Sequence, residues 1–579
     1  MNRTHTNGEF RLEHIGKTVT VLGWVAKRRN FGSIVFMDLR DRTGIVQCVF
    51  NEEFTDKVKD VRSEYILEVV GTVVERKDKN PKLSTGDVEI IVSDVTIINT
   101  SAATPIIVAD ETDALEDTRL RYRYLDLRRP LMQKKLMQRH AITKTMRNFL
   151  DDEGFIEVET PMLTKSTPEG SREYLVPSRV HTGEFYALAQ SPQIFKQLLM
   201  IAGFERYYQV ARCFRDEDLR ADRQLDFTQV DIEASFLSEV EFQTILETMM
   251  VKVFKEVMHR DLPVPFRRIP FDEAMNRYGV DKPDIRFGLE LSDVTTLFEK
   301  SEFKVFSSVI EQKGNIKALV INDYASITRK EIDAITDLAK KYGAKGLVVV
   351  KLVNGGIEGP ASKFLSEAEK TELIAFLELK ENDLVLMVAD AWEKACVAAG
   401  ALRSYFRDAL KLVSEDQFEF AWVVDFPLFE YDSEENRLIA RHHPFTRPKA
   451  EDAHLLGSNP LAVKACAYDL VLNGFEVAGG SLRIYDQQMQ AKLFSLIGFS
   501  DEQIEKRFGF FVDAFKYGTP PHGGIAFGLD RLAMIMTHSE SLRDVIAFPK
   551  NASARCPLTD APTPVEEKQL AELHLSIVK

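Results

Sequence analysis

The chain has 579 residues, 45% hydrophobic and 28% charged, with a formal net charge of −14. That length exceeds a single hydrophobic core and predicts three or four domains, and the composition excludes a disordered or fibrous chain. Net charge leaves nucleic-acid binding open, because a local basic patch suffices for it. Five cysteines (Cys48, Cys213, Cys396, Cys466 and Cys556) lie far apart with no C-x-x-C pair. This argues against a zinc site or a disulfide framework and fits a reducing compartment. The N-terminus MNRTHTNGEF has no apolar h-region, and no run of about 18 apolar residues occurs. The expectation is a cytoplasmic enzyme without a membrane span.

Residues 1–104 read as short strands: GWVAKRR, SIVFMDLRD, GIVQCVF and YILEVVGTVV, with a hairpin turn at Asp41–Gly44. A small barrel of the OB type is predicted. Lys27, Arg28 and Arg29 stand beside Phe31, with Phe36 one strand on. Cations near exposed aromatics suit single-stranded RNA, whose bases stack and whose phosphates need neutralising; the bland alternative makes Phe36 core and the basic run solvated. Residues 105–133 form a connector through RLRYRYLDLRRP, whose arginines either touch RNA backbone or salt-bridge a hinge. A helix is predicted over Gln133–Glu153, with Ile142, Met146, Phe149 and Leu150 on one stripe and Gly154 as its stop. A strand over Phe155–Thr160 then ends at Pro161.

Thr164–Tyr174 (TKSTPEGSREY) is a polar loop containing Glu169. Ser191-Pro192-Gln193 precedes an apolar helix over Ile194–Ala202, with Ser191 or Gln193 as its cap. Lys196 stands among Ile194, Phe195, Leu198 and Leu199, and either snorkels to solvent or serves a ligand. Two strands, Arg206–Phe214 and Phe227–Phe236, then flank a charged loop longer than an ordinary hairpin connection. The second strand alternates Thr228, Val230, Ile232 and Ala234 with Gln229, Asp231, Glu233 and Ser235. The loop mixes Arg215, Arg220 and Arg223 with Asp216, Glu217, Asp218, Asp222 and Asp226. Acids and an amide in a row beside arginines suit a ligand with both anionic and cationic groups; a solvated charge run is the alternative.

Ser238 and Glu241 make a capping box for a helix over Glu239–Arg260. Residues 283–412 read as a self-contained α+β module, with a turn at Asn354-Gly355-Gly356 and no catalytic constellation. Strand character resumes over Trp422–Glu430. His442-His443 precedes Pro444 in an irregular stretch, and adjacent histidines rarely ligate one metal ion. Cys466–Leu472 and Gly474–Val477 form a hairpin carrying Asp469 and Glu476, followed by Gly479-Gly480 and a strand Ser481–Tyr485 centred on Arg483. Two acids so spaced suit Mg²⁺ on nucleotide phosphates. Finally, GGIAFGLDRLAMIM (Gly523–Met536) runs from a glycine-rich strand into a helix with Arg531 in its first turn, an anion site. No Walker A loop is present in the sequence, and residues 551–579 read as a tail.

In this order, the helix–strand–Pro161 unit, FRDE (Phe214–Glu217) with its FTQ strand, and the Gly528–Arg531 turn resemble motifs 1, 2 and 3 of the class II aminoacyl-tRNA synthetases. The resemblance runs through nearly the whole chain and is closest to the bacterial-type aspartyl enzymes of subclass IIb. One departure is Leu225-Asp226, where that family carries Pro-Glu. His14-Ile15-Gly16-Lys17 only mimics a class I motif and has no partner sequence.

The resemblance implies a multidomain α+β protein. An OB-fold anticodon barrel (1–104) and a connector (105–133) precede an antiparallel catalytic sheet flanked by helices, built in two parts (134–282 and 413–555). An inserted GAD-like α+β domain (283–412) separates the parts, and a C-terminal extension (556–579) follows. It implies a homodimer, paired through motif 1, that activates L-aspartate with ATP and Mg²⁺ and passes it to the terminal ribose of tRNA(Asp). A non-discriminating form that also charges tRNA(Asn), and a catalytically dead RNA-binding relative, are the alternatives. Carried over residue by residue, Arg215 and Arg531 are the catalytic cations on the α- and γ-phosphates. Asp216, Glu217, Gln224, Phe227, Glu476, Gly528, Leu529 and Asp530 join them around ATP, with Phe227 under adenine, and Asp469 and Glu476 hold the metal. Aspartate falls to Glu169, Ser191, Gln193, Ile194, Phe195, Lys196, Arg215, Gln229, Asp231, His442 and Arg483, with Lys196 and Arg483 on its side-chain carboxylate. Arg29, Phe31, Phe36, Gln47 and Glu89 match the anticodon contacts, and Phe31 stands where non-discriminating forms tend to carry His.

Overall fold

The computed structural model describes residues 2–167 and 172–578, which divide into two compact units. The first unit comprises Met1–Ile142, Asp218–Leu225 and Ala533–Lys579. Its N-terminal part is a closed barrel of the strands Thr18–Phe31, Ile34–Arg40, Ile45–Phe50, Ile66–Glu75 and Val88–Asn99, the fifth lying between the third and fourth. Period-two patterning builds it: Val19, Val21, Val25, Val35, Met37 and Leu39 all point into one core. The long first strand shifts register between Val25 and Lys27. That bulge bends it so that it pairs with both neighbours and closes the barrel. Phe36 alternates out of this core and meets Phe31 edge-on, ring centroids 5.7 Å apart, so its reading as core is set aside.

The connector carries the short helices Glu116–Arg121 and Arg123–Asp126. Arg123 is buried, pairs with Asp126 at 2.7 Å and donates to the carbonyls of Arg543, Ile546 and Ala547. Arg129 pairs with the same Asp126 and donates to Ala109 and Asp110. These guanidinium groups are spent inside the protein, which favours the salt-bridged reading over RNA contact. Arg123→Leu leaves the Arg543, Ile546 and Ala547 carbonyls without their donor and Asp126 with one close cation fewer, so it is expected to cost about 3–5 kcal/mol in chemical denaturation.

The second unit, Thr143–Glu217 and Asp226–Leu532, is built on an eight-stranded sheet. The strand order is Arg267–Pro270, Phe420–Val424, Ala467–Leu472, Phe475–Leu482, His522–Gly528, Asp226–Ser235, Arg206–Phe214 and Ile156–Glu157. Inner pairs are antiparallel, and only the two edge pairs are parallel. Helix Glu239–Met258 opens with the reciprocal Ser238–Glu241 capping box. Gly480 lets neighbouring strands close up, since a Cβ there would lie 2.2 Å from the Gly524 carbonyl oxygen.

Several elements differ from expectation. The first long helix spans Pro130–Asp152, starting at a proline whose missing N–H costs nothing at a helix N-terminus. The strand expected over Phe155–Thr160 pairs only at Ile156–Glu157, with one further bond from Val158. Beyond it the Thr160 hydroxyl turns to Gln209, and Pro161 has no N–H to donate. Trp422–Glu430 is not one strand: the chain leaves the sheet at Asp425, at φ +60, and Phe429–Asp432 pairs with Arg437–Ala440 in a separate ribbon. The strand expected to hold Arg483 ends at Leu482, having run through Gly479-Gly480.

Within the same unit, residues 291–409 form a five-stranded sheet with helices. The hairpin of Val348–Val353 with Gly356–Glu358 turns at Asn354 and Gly355, at φ +52 and +73, left-handed values that such tight turns require. Its longest helix, Trp392–Ala409, has no counterpart in the sequence reading, because Ala395, Ala398, Ala399 and Gly400 blur the contrast between its faces. Arg403 in that helix is buried and donates to the carbonyls of Asp284, Phe287, Gly288 and Leu289, anchoring the segment that leads into this sheet.

Candidate active site

The strand Asp226–Ser235 organises the site. Its apolar residues face one side of the sheet, and Gln229, Asp231 and Glu233 face the other, where both acids are fully buried. Burying carboxylates requires cations, and two converge on them. Helix Gln193–Ile201 supplies Lys196, whose Nζ lies 2.9 Å from Asp231 Oδ1 and 3.4 Å from Glu233 Oε2. Arg483, just past the strand Phe475–Leu482, forks onto Glu233 with Nε at 2.9 Å and Nη2 at 3.1 Å. Both cations are 1% exposed, which rules out snorkelling for Lys196. Gly524 on the neighbouring strand makes room for this pair, since a Cβ there would sit 1.6 Å from Glu233 Oε2.

Arg483 Nη1 donates to Ser481 Oγ at 2.7 Å and meets His443 Nε2 at 2.8 Å. A guanidinium cannot accept, so a hydrogen bond at this contact takes the lone pair of His443 Nε2, and the Phe445 N–H, 3.2 Å from Nδ1, competes for the other tautomer. Burial, with Arg483 beside it, holds His443 well below the usual imidazole range. Four of the five N–H groups of Arg483 are thus committed, and one on Nη2 remains.

These side chains line a cavity of about 370 Å³. Ser191, Gln193, Lys196, Arg215, Gln229, Asp231, His442, Asp469, Glu476 and Arg483 all border it, as the sequence led us to expect. Three buried polar atoms of lining residues have no hydrogen-bond partner among the described residues: Asp231 Oδ2, Gln193 Nε2 and Arg215 Nε. An acceptor with carboxylate character and two donors, all desolvated, call for a ligand bearing both a cation and anionic oxygens. Burial pushes Asp231 upward, only partly offset by Lys196. For Glu233 burial also pushes up, but Arg483 and Lys196 outweigh it and hold the carboxyl low. Burial drives His442 down to about 4.

At one end of the cavity, Asp469 and Glu476 come together on the hairpin of Ala467–Leu472 and Phe475–Leu482, which turns at Asn473-Gly474. A Cβ on Gly479 would lie 3.0 Å from Asp469 Oδ1 and 3.2 Å from Glu476 Oε1, so both oxygens overhang one glycine. Burial and the adjacent Glu476 charge push Asp469 well above the carboxylate range. Two carboxylates crowded without a cation between them fit a hard divalent ion that takes its remaining ligands from phosphates and water. Arg531, in the first turn of Leu529–Met536, donates to the Glu476 carbonyl at 2.5 Å. The Arg215 guanidinium lies 5.1 Å from the centroid of the Phe227 ring. Asp530 accepts the Thr228 N–H at 2.8 Å, and Gly528 pairs with Gln229.

Some residues of the expected set lie outside this cavity. Ile194 and Phe195 do not reach this cavity; they border a smaller one of about 240 Å³ with Thr164, Lys165 and Phe510. A helix turns about 100° per residue, so neighbours of Lys196 in sequence face elsewhere. Leu529 is buried, and Asp216, Glu217 and Phe227 are not among the lining residues. Gln224 lies in the first unit, where its amide exchanges hydrogen bonds with the Lys550 backbone. Glu169 lies outside the described residues. Gln190, Arg441, His443 and Ala526 line the cavity unforeseen, and Glu233 braces it from behind. Its place on one face with Gln229 and Asp231 was the signal available for Glu233.

On the barrel, cross-strand register brings the other expected group together. Arg29 faces Phe36, Asp38 faces Gln47, and Gln47 faces Glu89. Arg29 donates to Asp38 at 2.6 Å and to Gln47 at 2.9 Å, and Gln47 donates to Glu89 at 2.6 Å. Phe31, 66% exposed, stands at the end of this row. Asp38 and Arg76, the latter donating to Gln47 at 3.0 Å, complete it.

The sequence matches the family described as tRNA synthetases class II (D, K and N) over residues 115–552, and an OB-fold nucleic acid binding domain over residues 19–98. A relative from Caldanaerobacter subterraneus subsp. tengcongensis named aspartate–tRNA(Asp/Asn) ligase is 54% identical, covering 100% of this chain and 98% of its own. One of the same name from Bacillus cytotoxicus is 55% identical over 99% of each. The fold superimposes on that of an asparaginyl-tRNA synthetase from Pyrococcus horikoshii with TM-score 0.58 and 18% identity, covering 93% of this chain and 96% of that one. The barrel, the antiparallel sheet with its buried ionic cavity and the family match across most of the sequence agree: this chain belongs to the class II tRNA synthetases.

Proposed function

We propose that this protein is an aspartate–tRNA ligase, activating L-aspartate with ATP and esterifying it to the terminal ribose of tRNA(Asp). The observation that carries the reading is the cavity in which two buried cations, Lys196 and Arg483, are held rigid by Asp231 and Glu233. The uncommitted N–H of Arg483 and the ammonium of Lys196 receive the substrate side-chain carboxylate. Asp231 Oδ2, with Gln193, Gln229 and Ser191 around it, receives the ammonium group. A lysine substrate would set cation against cation here, and the amide of asparagine would present N–H groups to donors.

Arg215, laid on Phe227, neutralises the α-phosphate, and Arg531 the γ-phosphate of a bent ATP whose adenine rests on Phe227. Asp469 and Glu476, whose crowded oxygens suit a hard cation, would hold Mg²⁺, which would supply charge neutralisation for the nucleotide phosphates. An α-carboxylate oxygen of aspartate attacks the α-phosphorus, the bond to pyrophosphate breaks, and an acyl-adenylate forms. A ribose hydroxyl of tRNA then attacks the acyl carbon and AMP leaves. Neither step asks covalent work of the protein, so positioning and charge stabilisation carry the rate. The row Arg29–Phe36–Gln47–Glu89, with Phe31, takes the anticodon.

A homodimer paired through motif 1 is supported by exposed apolar residues along it: Met137, Ile156, Met162 and Leu163. No helix among the described residues is long and apolar enough to cross a membrane. A second reading, favoured by the names of the relatives at 54–55% identity, is that tRNA(Asn) is charged as well; Phe31 favours the specific form. Charging both transcripts side by side decides. Aspartylation of tRNA(Asp) alone supports the first reading, equal rates the second, and failure with both overturns the ligase assignment.

A further inference from the structure

The sheet module of residues 291–409 holds a second large concavity, about 1150 Å³, remote in sequence from every residue of the aminoacylation site. One end is aromatic. Phe303 and Phe364 stack in parallel, 5.1 Å apart and 5° from coplanar, and Phe364 is 51% exposed. The Lys363 ammonium rests 5.0 Å from the Phe364 ring centroid. Lys304, Arg329 and Lys345 line the groove, are exposed, and have no ion-pair partner among the described residues. Lys351 is different, its ammonium being spent on the carbonyls of Ala325 and Ile327. Against these cations the lining sets Asp333 and Glu358.

A chain of net charge −14 that keeps a local excess of unpaired cations beside an exposed Phe364 ring, backed by half-buried Phe303, presents an unusual combination. Flat π surfaces at one end suit planar rings, and spaced ammonium and guanidinium groups suit phosphates. The volume exceeds the roughly 300–1,000 Å³ of ordinary small-molecule sites, so a single nucleotide would leave it part-filled. We infer that this groove binds an unpaired stretch of RNA, with a base stacked at Phe364 and successive phosphates on Lys304, Arg329 and Lys345. An acidic peptide would use the cations but gain little from the parallel rings.

The test uses the full chain carrying Arg29→Ala and Phe31→Ala, so that the barrel contributes little, and a fluorescein-labelled ten-uridine strand in anisotropy titrations. Lys304→Glu, Arg329→Glu and Lys345→Glu together are expected to weaken binding at least about tenfold and to flatten the slope of log K against log salt by about two, since each phosphate contact on a single strand contributes about 0.7. Phe364→Ala is expected to weaken binding about fivefold or more, at unchanged salt slope. Aspartate-dependent pyrophosphate exchange should stay unchanged in both, which separates this groove from the aminoacylation reading and reports that the chain is folded. Unaltered affinity and slope in the triple variant would overturn the inference. So would competition by a ten-residue polyglutamate as effective as that by unlabelled uridine strand, which would make the groove a surface for acidic protein segments.

Discussion

Replacing Lys196 or Arg483 with leucine should lower kcat/KM for aspartate in ATP–pyrophosphate exchange by roughly a hundredfold to a few thousandfold. The estimate rests on the roughly 3–5 kcal/mol lost when one partner of a buried, hydrogen-bonded charge pair is removed, at 1.4 kcal/mol per tenfold. Burial makes the effect large, because neither cation can be replaced by water without reopening the site. The same burial complicates the reading: Arg483→Leu leaves buried Glu233 with Lys196 as its remaining cation and without the guanidinium fork, and the fold itself weakens. A double variant, Glu233→Leu with Arg483→Leu, separates the two effects. Removing both partners should recover most of the thermal stability while exchange stays at the level of the single variant. Near-wild-type exchange in either single variant would remove the basis for aspartate selection.

Gly524→Ala should lower kcat/KM for aspartate by roughly a hundredfold, although residue 524 offers no functional group. The added Cβ would meet Glu233 Oε2 at 1.6 Å and the Ile232 carbonyl oxygen at 2.5 Å, closer than any real contact. The glycine is held between strands Asp226–Ser235 and Phe475–Leu482, so the backbone has little room to yield. The carboxylate must move, and Arg483 loses the fork that aims it. Hydrogen bonds to charged groups contribute about 1.5–3 kcal/mol each, which is the source of the estimate. Gly457→Ala, where a Cβ meets nothing within 4 Å, serves as the control and should leave exchange near wild type. Equal effects of the two substitutions would show that the Glu233 brace does not position Arg483.

Much of this site was legible because a strand has period two. Gln229, Asp231 and Glu233 had to share a face whatever the tertiary structure, and a run of acids on a sheet face is costly unless cations meet it. What the sequence could not show was which cations. Arg483 reaches Glu233 across 250 positions, and no local pattern carries that pairing. Glu233 therefore stayed unassigned while Asp231 was singled out. The same limit explains His443, whose role depends on the Arg483 N–H it accepts. Proximity along the helix misled in the other direction, attaching Ile194 and Phe195 to a cavity that only Lys196 of the three reaches. Among the strands, those with strong alternation and glycine turns were legible. The break at Asp425 and the two-residue edge strand at Ile156 were set by pairing partners and by proline, not by side-chain pattern. Helix Trp392–Ala409 failed for a third reason: small residues pack tightly yet carry almost no hydrophobic contrast.

The most direct test of the account is the amino-acid dependence of ATP–pyrophosphate exchange by the unmodified protein with Mg²⁺ present. Buried cations braced by Asp231 and Glu233 predict exchange driven by aspartate, with asparagine and lysine each at least about a thousandfold poorer in kcat/KM. Comparable exchange with asparagine or lysine, or none with aspartate, would contradict it.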